Sequence, residues 1–127
     1  MAFDWSEYLT LAHELARRPG EEAALRSAIS RAYYSVYHRA GIRLRQNKVP
    51  IPPDPLLGPH QRQWKVYSDH ASPLCRKIGL DGDRLRESRH RADYRDNVQN
   101  VPREAQSAMM LAMGIIGSLL GLPSNVP

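Results

Sequence analysis

The stretch EEAALRSAISRAYYSVYHRAGIRLRQ, residues 21–46, is the longest helical pattern in the chain. Apolar side chains recur along it at the spacing of one helix face, at Leu25, Ala28, Ile29, Ala32, Val36 and Ala40. A period near 3.6 residues with polar residues between is typical of an amphipathic α-helix. The stretch therefore predicts one long helix over about residues 21–46 and indicates an all-α fold.

Further helical patterns lie on both sides of this segment. Before it, Asp4 and Glu7 resemble a capping box, and the pattern that they begin ends at Pro19-Gly20. After it, residues 49–59 hold five prolines, which exclude a helix or an inner strand. We therefore expect an extended connection at about 49–59, in what we predict is one domain over residues 1–127.

The second half of the chain predicts several helices in succession. Helical patterning resumes at residues 60–67, and Ser72-Pro73 predicts a short helix over 73–78 that Gly79 ends. Asp81 or Asp83 then caps a charged helix, and Asn100-Val101-Pro102 opens the last one. The predicted fold is an all-α, up-and-down bundle of four long helices plus a short fifth helix. We expect its core at Trp5, Leu9, Leu25, Ile29, Val36, Ala108, Ala112 and Ile116, with Tyr33 and the Met109, Met110, Met113 group also inside.

The segment LRESRHRADY, residues 85–94, concentrates polar chemistry on one helix. On a helical wheel one stripe about 100° wide holds Arg86, Arg89, His90, Asp93 and Asn97, with Tyr94 at its edge. The pairs Arg86/His90 and Arg89/Asp93 are four residues apart, so they can order one another while presenting donors outward. This charged stripe suits a phosphate or an RNA strand. The alternative is an intrahelical ion pair on a solvated surface.

Composition narrows the function further. The net charge is +5, and 15 of the 18 basic residues are arginine, which fits a nucleic-acid partner, although a GC-rich genome would produce the same bias. The lone Cys75 excludes an internal disulfide and a cysteine metal set. The N-terminus does not resemble a signal peptide, and no long uninterrupted apolar run is present. We expect a cytoplasmic protein with no membrane role, no metal and no cofactor.

The long helix and the charged helix together resemble the HEPN domain family. The resemblance rests on residues 30–38, SRAYYSVYH, on His60, and on residues 89–94, RHRADY, and it spans roughly residues 5–120. It implies a small helical bundle that usually dimerises, in a family with many metal-independent endoribonucleases of toxin–antitoxin, defence and RNA-processing systems. Those nucleases carry an arginine followed four to six residues later by histidine. Here the matching arginine is Arg89, which Asp93 and Tyr94 follow at that distance, so the chain resembles a branch with Arg-x-x-Ala-Asp-Tyr.

Two functions follow from the stripe and the resemblance. The first is a module that binds RNA or a nucleotide, using Arg86, Arg89, Arg91 and Asn97, as a subunit beside a protein partner such as a nucleotidyltransferase or an antitoxin. The alternative is a metal-independent endoribonuclease with catalytic residues Arg89, His90, Asp93 and Tyr94. The missing family histidine favours the binding module.

The long helix also predicts an interface. Ser27, Arg31, Tyr34 and His38 share the face opposite its apolar side, and aromatic and arginine residues are enriched in protein contacts. No segment of a five-helix chain is an obvious cover for this face. We therefore expect a two-fold homodimer that brings two charged stripes to one cleft.

Overall fold

The computed structural model describes residues 2–127 and folds them into five helices. They are α1 (Ser6–Ala16), α2 (Glu22–Gln46), α3 (Pro59–Ser68), α4 (Pro73–Tyr94) and α5 (Val101–Gly121). The all-α prediction is confirmed, since no strand forms within residues 2–127. Helix α2 lies at the centre of the bundle, in contact with α1, α4 and α5, while α3 packs mainly on α4.

The core forms where the inner faces of α2 and α5 meet the other helices. Tyr33 is buried as expected, and so are five of the eight predicted core residues: Leu25, Ile29, Val36, Ala108 and Ala112. The other three, Trp5, Leu9 and Ile116, are half-buried. The prediction for the methionines was correct only for Met109, because Met110 and Met113 lie off the inner face and are exposed.

Helix α4 runs unbroken through the point where the sequence predicted a stop. The sequence predicted that Gly79 ends one helix and that Asp81 or Asp83 caps the next, but residues 79–83 all lie inside α4, where Gly79 and Gly82 are buried. A Cβ at Gly79 would lie 2.4 Å from the backbone nitrogen of Ser68, and one at Gly82 would lie 2.3 Å from the Trp64 ring. The two glycines therefore let α3 approach α4 closely, which outweighs their poor helix propensity. The short helix is α3, and 73–78 is the first part of α4.

The end of α4 is held by a side chain from α2. The Arg26 guanidinium donates to the carbonyl oxygens of Ala92 at 3.1 Å, Arg95 at 2.5 Å and Asp96 at 3.1 Å. These bonds satisfy carbonyls that a helix end leaves free. Because α4 ends at Tyr94, Asn97 lies in the following loop, and its predicted place on the helical stripe is wrong.

The outer face of α5 differs from the rest of the surface. Residues 105–127 carry no charged side chain, and Met110, Met113 and Leu120 are exposed. By length and composition α5 is, within residues 2–127, the one helix apolar enough to cross a membrane, but core helices of soluble proteins pass the same test. Its inner side contributes seven buried residues to the bundle.

Candidate functional site

Arg89 is the centre of a cluster between α2 and α4. Its side chain is only 10% exposed, and its guanidinium carbon lies 5.5 Å from the ring centres of Tyr33 and Tyr34 and 5.7 Å from that of Tyr94. Such distances permit cation–π attraction. One terminal nitrogen is 3.6 Å from the Asp93 carboxylate, while the buried Nε has no hydrogen-bond partner within residues 2–127.

The predicted pair of Arg89 with Asp93 is therefore present, but it faces inward. Asp93 also accepts a hydrogen bond from the Ser30 hydroxyl at 3.1 Å, so its carboxylate joins α4 to α2. The prediction that Arg89 presents its donors to solvent is wrong, because three tyrosine rings surround it. Arg89 and Asp93 thus hold α4 against α2. The accessible charge lies on the outer surface of α4.

A hydrogen-bonded chain on the same side fixes His60. The Trp64 indole N–H donates to the Tyr33 hydroxyl oxygen at 3.1 Å, and that hydroxyl lies 2.7 Å from His60 Nδ1. Tyr33 is fully buried, and burial raises the pKa of its hydroxyl, so this hydroxyl keeps its proton and needs an acceptor. His60 Nδ1 is that acceptor, which places the imidazole proton on Nε2.

The surroundings of His60 favour the neutral imidazole. Burial lowers the pKa of His60, and the positive charges of Arg89, Arg86 and His38 lower it further. The ring stacks on Tyr37, with 4.1 Å between ring centres and 12° between planes. His60 was not among the site residues predicted from the sequence. No local spacing indicates a site role for it, because the hydrogen-bond partner Tyr33 and the stacking partner Tyr37 lie on α2.

A basic pocket opens on the outer side of α4. It has a volume of about 170 Å³ and is lined by Arg86, Glu87, His90, Arg91 and Arg95. Glu87 is the one carboxylate among the lining residues, which otherwise carry three guanidinium groups and one imidazole. Four of the five residues belong to the helix and the fifth follows its last turn, so the firmly packed α4 sets their spacing. We call this feature the basic pocket.

The pairings within the basic pocket differ from the predicted ones. Arg86 pairs with Asp83 at 2.7 Å and with Glu87 at 3.8 Å, so the expected Arg86/His90 pair does not form. The His90 ring instead lies 5.0 Å from the Tyr94 ring. A carboxylate binds a guanidinium more strongly than an imidazole does. Arg86 therefore pairs with the nearby acidic side chains and not with His90.

Arg91, Arg95 and His90 supply the most accessible donors of the pocket. Arg91 shares the Glu104 carboxylate of α5 at 3.5 Å with the Ser88 hydroxyl. Within residues 2–127 neither Arg95 nor His90 has an ion-pair partner, and both are exposed. Tyr94, 67% exposed, forms the border between this pocket and the buried cluster around Arg89.

The predicted interface on α2 is partly covered from within the chain. The Trp5 ring stacks on His38 with 3.7 Å between centres, and the Arg31 guanidinium lies 4.8 Å above the centre of the Tyr8 ring. Of the four residues only Ser27 is exposed, and the other three are half-buried. The expectation that nothing covers this face is wrong, because α1 and the residues before it do so.

The described chain shows no grouping typical of a metal site, since no three His, Cys, Asp or Glu side chains converge within residues 2–127. Comparison with known proteins finds no match among protein-family models, curated proteins or solved structures. The resemblance to HEPN domains therefore stays a prediction that rests on its quoted residues.

Proposed function

We propose that the protein is a module that binds RNA or a nucleotide through phosphate contacts in the basic pocket. The observation that carries this proposal is the convergence of Arg86, Arg91, Arg95 and His90 on one small opening. Arg86 and Arg91 share carboxylates there, whereas Arg95 and His90 have no ion-pair partner within residues 2–127. A guanidinium forms two parallel hydrogen bonds to phosphate oxygens, and such charge-assisted bonds are among the strong ones. The chain's net charge of +5 draws polyanions toward it.

The buried cluster behind the pocket supports this role. Arg89, Asp93 and Ser30 tie α4 to α2, while Arg26 holds the carbonyls beyond the last turn. A pocket on a rigid element needs little ordering when a ligand binds. The buried side chains therefore keep the exposed donors in place and do not contact the ligand themselves.

The proposal is tested by fluorescence anisotropy with a labelled eight-nucleotide RNA. Arg95→Ala and Arg91→Ala each remove one charge-assisted contact, so we expect each to weaken binding about tenfold. Arg76→Ala is the matched control, because this exposed arginine lies near the start of α4, about 28 Å along the helix axis from Arg95. Unchanged affinity in both pocket variants, or an equal loss in the control, would contradict the proposal.

The HEPN resemblance supports a cellular setting for this module. We propose that it serves as a subunit of a toxin–antitoxin, defence or RNA-processing system, beside a protein partner such as a nucleotidyltransferase or an antitoxin. Co-purification of the tagged chain from its native cell with a protein of either class is the expected result. Recovery of RNA without any such partner would leave a free-standing RNA-binding protein instead.

A second candidate is a metal-independent endoribonuclease, favoured by the contact of exposed His90 with Tyr94 beside the arginines of the pocket. In that reaction the RNA 2′-hydroxyl attacks the adjacent phosphorus while a side chain accepts its proton, the P–O5′ bond breaks to leave a 2′,3′-cyclic phosphate, and a second group protonates the leaving 5′-oxygen. The engagement of Arg89 and Asp93 in the bundle counts against their predicted catalytic roles. Incubation with RNA in EDTA distinguishes the two functions: we expect intact RNA, whereas cleavage that His90→Ala abolishes would establish the nuclease.

A further inference from the structure

Three aromatic side chains gather at the start of the chain. The Phe3 ring lies 4.9 Å from the Trp5 ring and 5.5 Å from the Tyr8 ring, and each pair meets edge to face. Phe3 is 47% exposed, although an apolar ring of this size usually lies inside a protein. Phe3 is exposed and Trp5 is half-buried, so these two rings form an aromatic wall that reaches solvent.

The wall borders a cavity of about 440 Å³ between the N-terminal residues, α2 and the end of α5. Its volume is within the range of pockets that hold small ligands. Phe3 and Trp5 form one side, with Arg39 and Ile42 of α2 nearby, and Leu120 of α5 completes the apolar part. The cavity thus combines flat aromatic surface with positive charge.

Arg39 supplies positive charge to this cavity. The hydrogen bonds from Ser6 and, to a smaller extent, the charge of Arg39 lower the pKa of the Asp4 carboxyl. Within residues 2–127 Arg39 has neither an ion pair nor a side-chain hydrogen bond, whereas the neighbouring Arg43 guanidinium donates to the Val126 carbonyl at 2.9 Å. Asp4 also lines the cavity, and its Oδ1 accepts from the Ser6 backbone and hydroxyl. A carboxylate accepts from the amino group of a base but repels a phosphate, so a base suits the Asp4 side and a phosphate suits Arg39.

Aromatic contacts connect this cavity with the cluster around Arg89. Trp5 stacks on His38, whose ring lies 6.0 Å from that of Tyr34, and Tyr34 lies against Arg89. Proteins that bind single strands use this combination of stacking rings and flanking arginines. A duplex keeps its bases stacked on one another and offers none to such a wall.

We propose that the cavity beside Phe3, Trp5 and Arg39 binds a nucleobase of single-stranded RNA, with the base stacked on the aromatic wall and an adjacent phosphate on Arg39. This inference rests on the proposed function and assigns it a substrate class. A strand long enough to reach both sites contacts this cavity with a base and the basic pocket with its backbone. The N-terminal residues are thereby part of the binding surface.

Trp5 provides a direct readout, because the second tryptophan, Trp64, is only 1% exposed. Titration with the oligonucleotide (C)8 is expected to quench Trp5 fluorescence, since a stacked base lies against the ring. Phe3→Ala and Arg39→Ala are expected to weaken binding about tenfold each. Leu56→Ala is the matched control, because this side chain is apolar, 90% exposed and outside the cavity. Circular dichroism checks that all variants keep their helices.

The outcomes separate this inference from the proposed function. If (C)8 binds in an Arg95-dependent manner while Phe3→Ala and Arg39→Ala bind like the unmutated chain, the nucleobase site is overturned and the module stands. If duplex RNA competes as well as the single strand, the stacking is likewise overturned. If the unmutated chain binds no RNA, the proposed function itself fails.

Discussion

Arg89 stabilises the fold more than its position on a charged helix suggests. The side chain is 10% exposed and joins Asp93 with three tyrosine rings. Its removal leaves a half-buried carboxylate with one fewer partner and opens a space between two helices. We expect Arg89→Ala to lower the free energy of unfolding by about 2–4 kcal/mol, measured by urea denaturation.

Arg84→Ala is the control for this prediction, since it removes an arginine from the same helix. Its side chain is 71% exposed and meets Asp81 at 3.7 Å, so the expected loss is below about 0.5 kcal/mol. Similar losses in the two variants would contradict the buried role of Arg89.

His60 makes stability depend on pH. Burial and nearby arginines lower the pKa of His60 in the folded chain, so below about pH 6.5 the unfolded chain binds more protons. The free energy of unfolding is therefore expected to fall as the pH drops from 7 toward 5. His60→Asn keeps an acceptor for the Tyr33 hydroxyl but does not titrate, so it should flatten the profile. The His38 pKa, lowered by its own burial and by Arg45, accounts for the remaining slope.

For single residues, the sequence predicted which side chains interact better than it predicted whether they face solvent or the bundle. It found the Arg89/Asp93 pair from spacing alone, because neighbours on one helix turn are set by local geometry. It could not show that Tyr33 and Tyr34 lie over Arg89, since that contact depends on how α2 packs on α4. His60 was missed as a site residue for the same reason, as its partner Tyr33 lies on another helix.

At the scale of helices, the glycines of α4 and α5 have opposite roles. A Cβ at Gly82 would lie 2.3 Å from the Trp64 ring, whereas one at Gly117 would meet nothing within 4 Å. We expect Gly82→Ala to lower the free energy of unfolding by about 2–3 kcal/mol, and Gly117→Ala to raise it by about 0.5–1 kcal/mol. Urea denaturation of both variants measures the difference, and a stabilised Gly82→Ala chain would rule out the close contact.

The unbroken helix α4 shows a limit of predicting helix ends from local sequence patterns. Gly79, Asp81, Gly82 and Asp83 are typical of a helix end followed by a new cap, and local propensity alone favours a break. The contact with α3 decides otherwise, because close packing of two helices needs small residues at the crossing. The starts of α4 and α5 were predictable, since Ser72 and Asn100 cap them through local hydrogen bonds. The capping box expected from Asp4 and Glu7 is wrong, because the Asp4 carboxylate accepts from the Ser6 N–H instead.

For the molecule as a whole, the homodimer stays a prediction, although the surface that motivated it is smaller than expected. The face of α2 that motivated it is partly covered by Trp5 and Tyr8, so an α2-to-α2 contact has less free surface than expected. Multi-angle light scattering at micromolar concentration measures the mass directly. A mass of twice the chain's 14.4 kDa is the predicted result, and a monomer would count against it.

The uncharged outer face of α5 gives the molecule two surfaces with opposite responses to salt. The net charge of +5 keeps molecules apart, and ions screen this repulsion beyond about 10 Å at 0.1 M. Contact between exposed apolar residues such as Met113 is not screened, so the second virial coefficient from static light scattering is expected to fall as KCl rises. Met113→Lys should reduce that fall.

RNA affinity is expected to decline over the same range, because binding releases counterions. Low ionic strength is therefore expected both to disperse the protein and to favour the proposed binding of RNA.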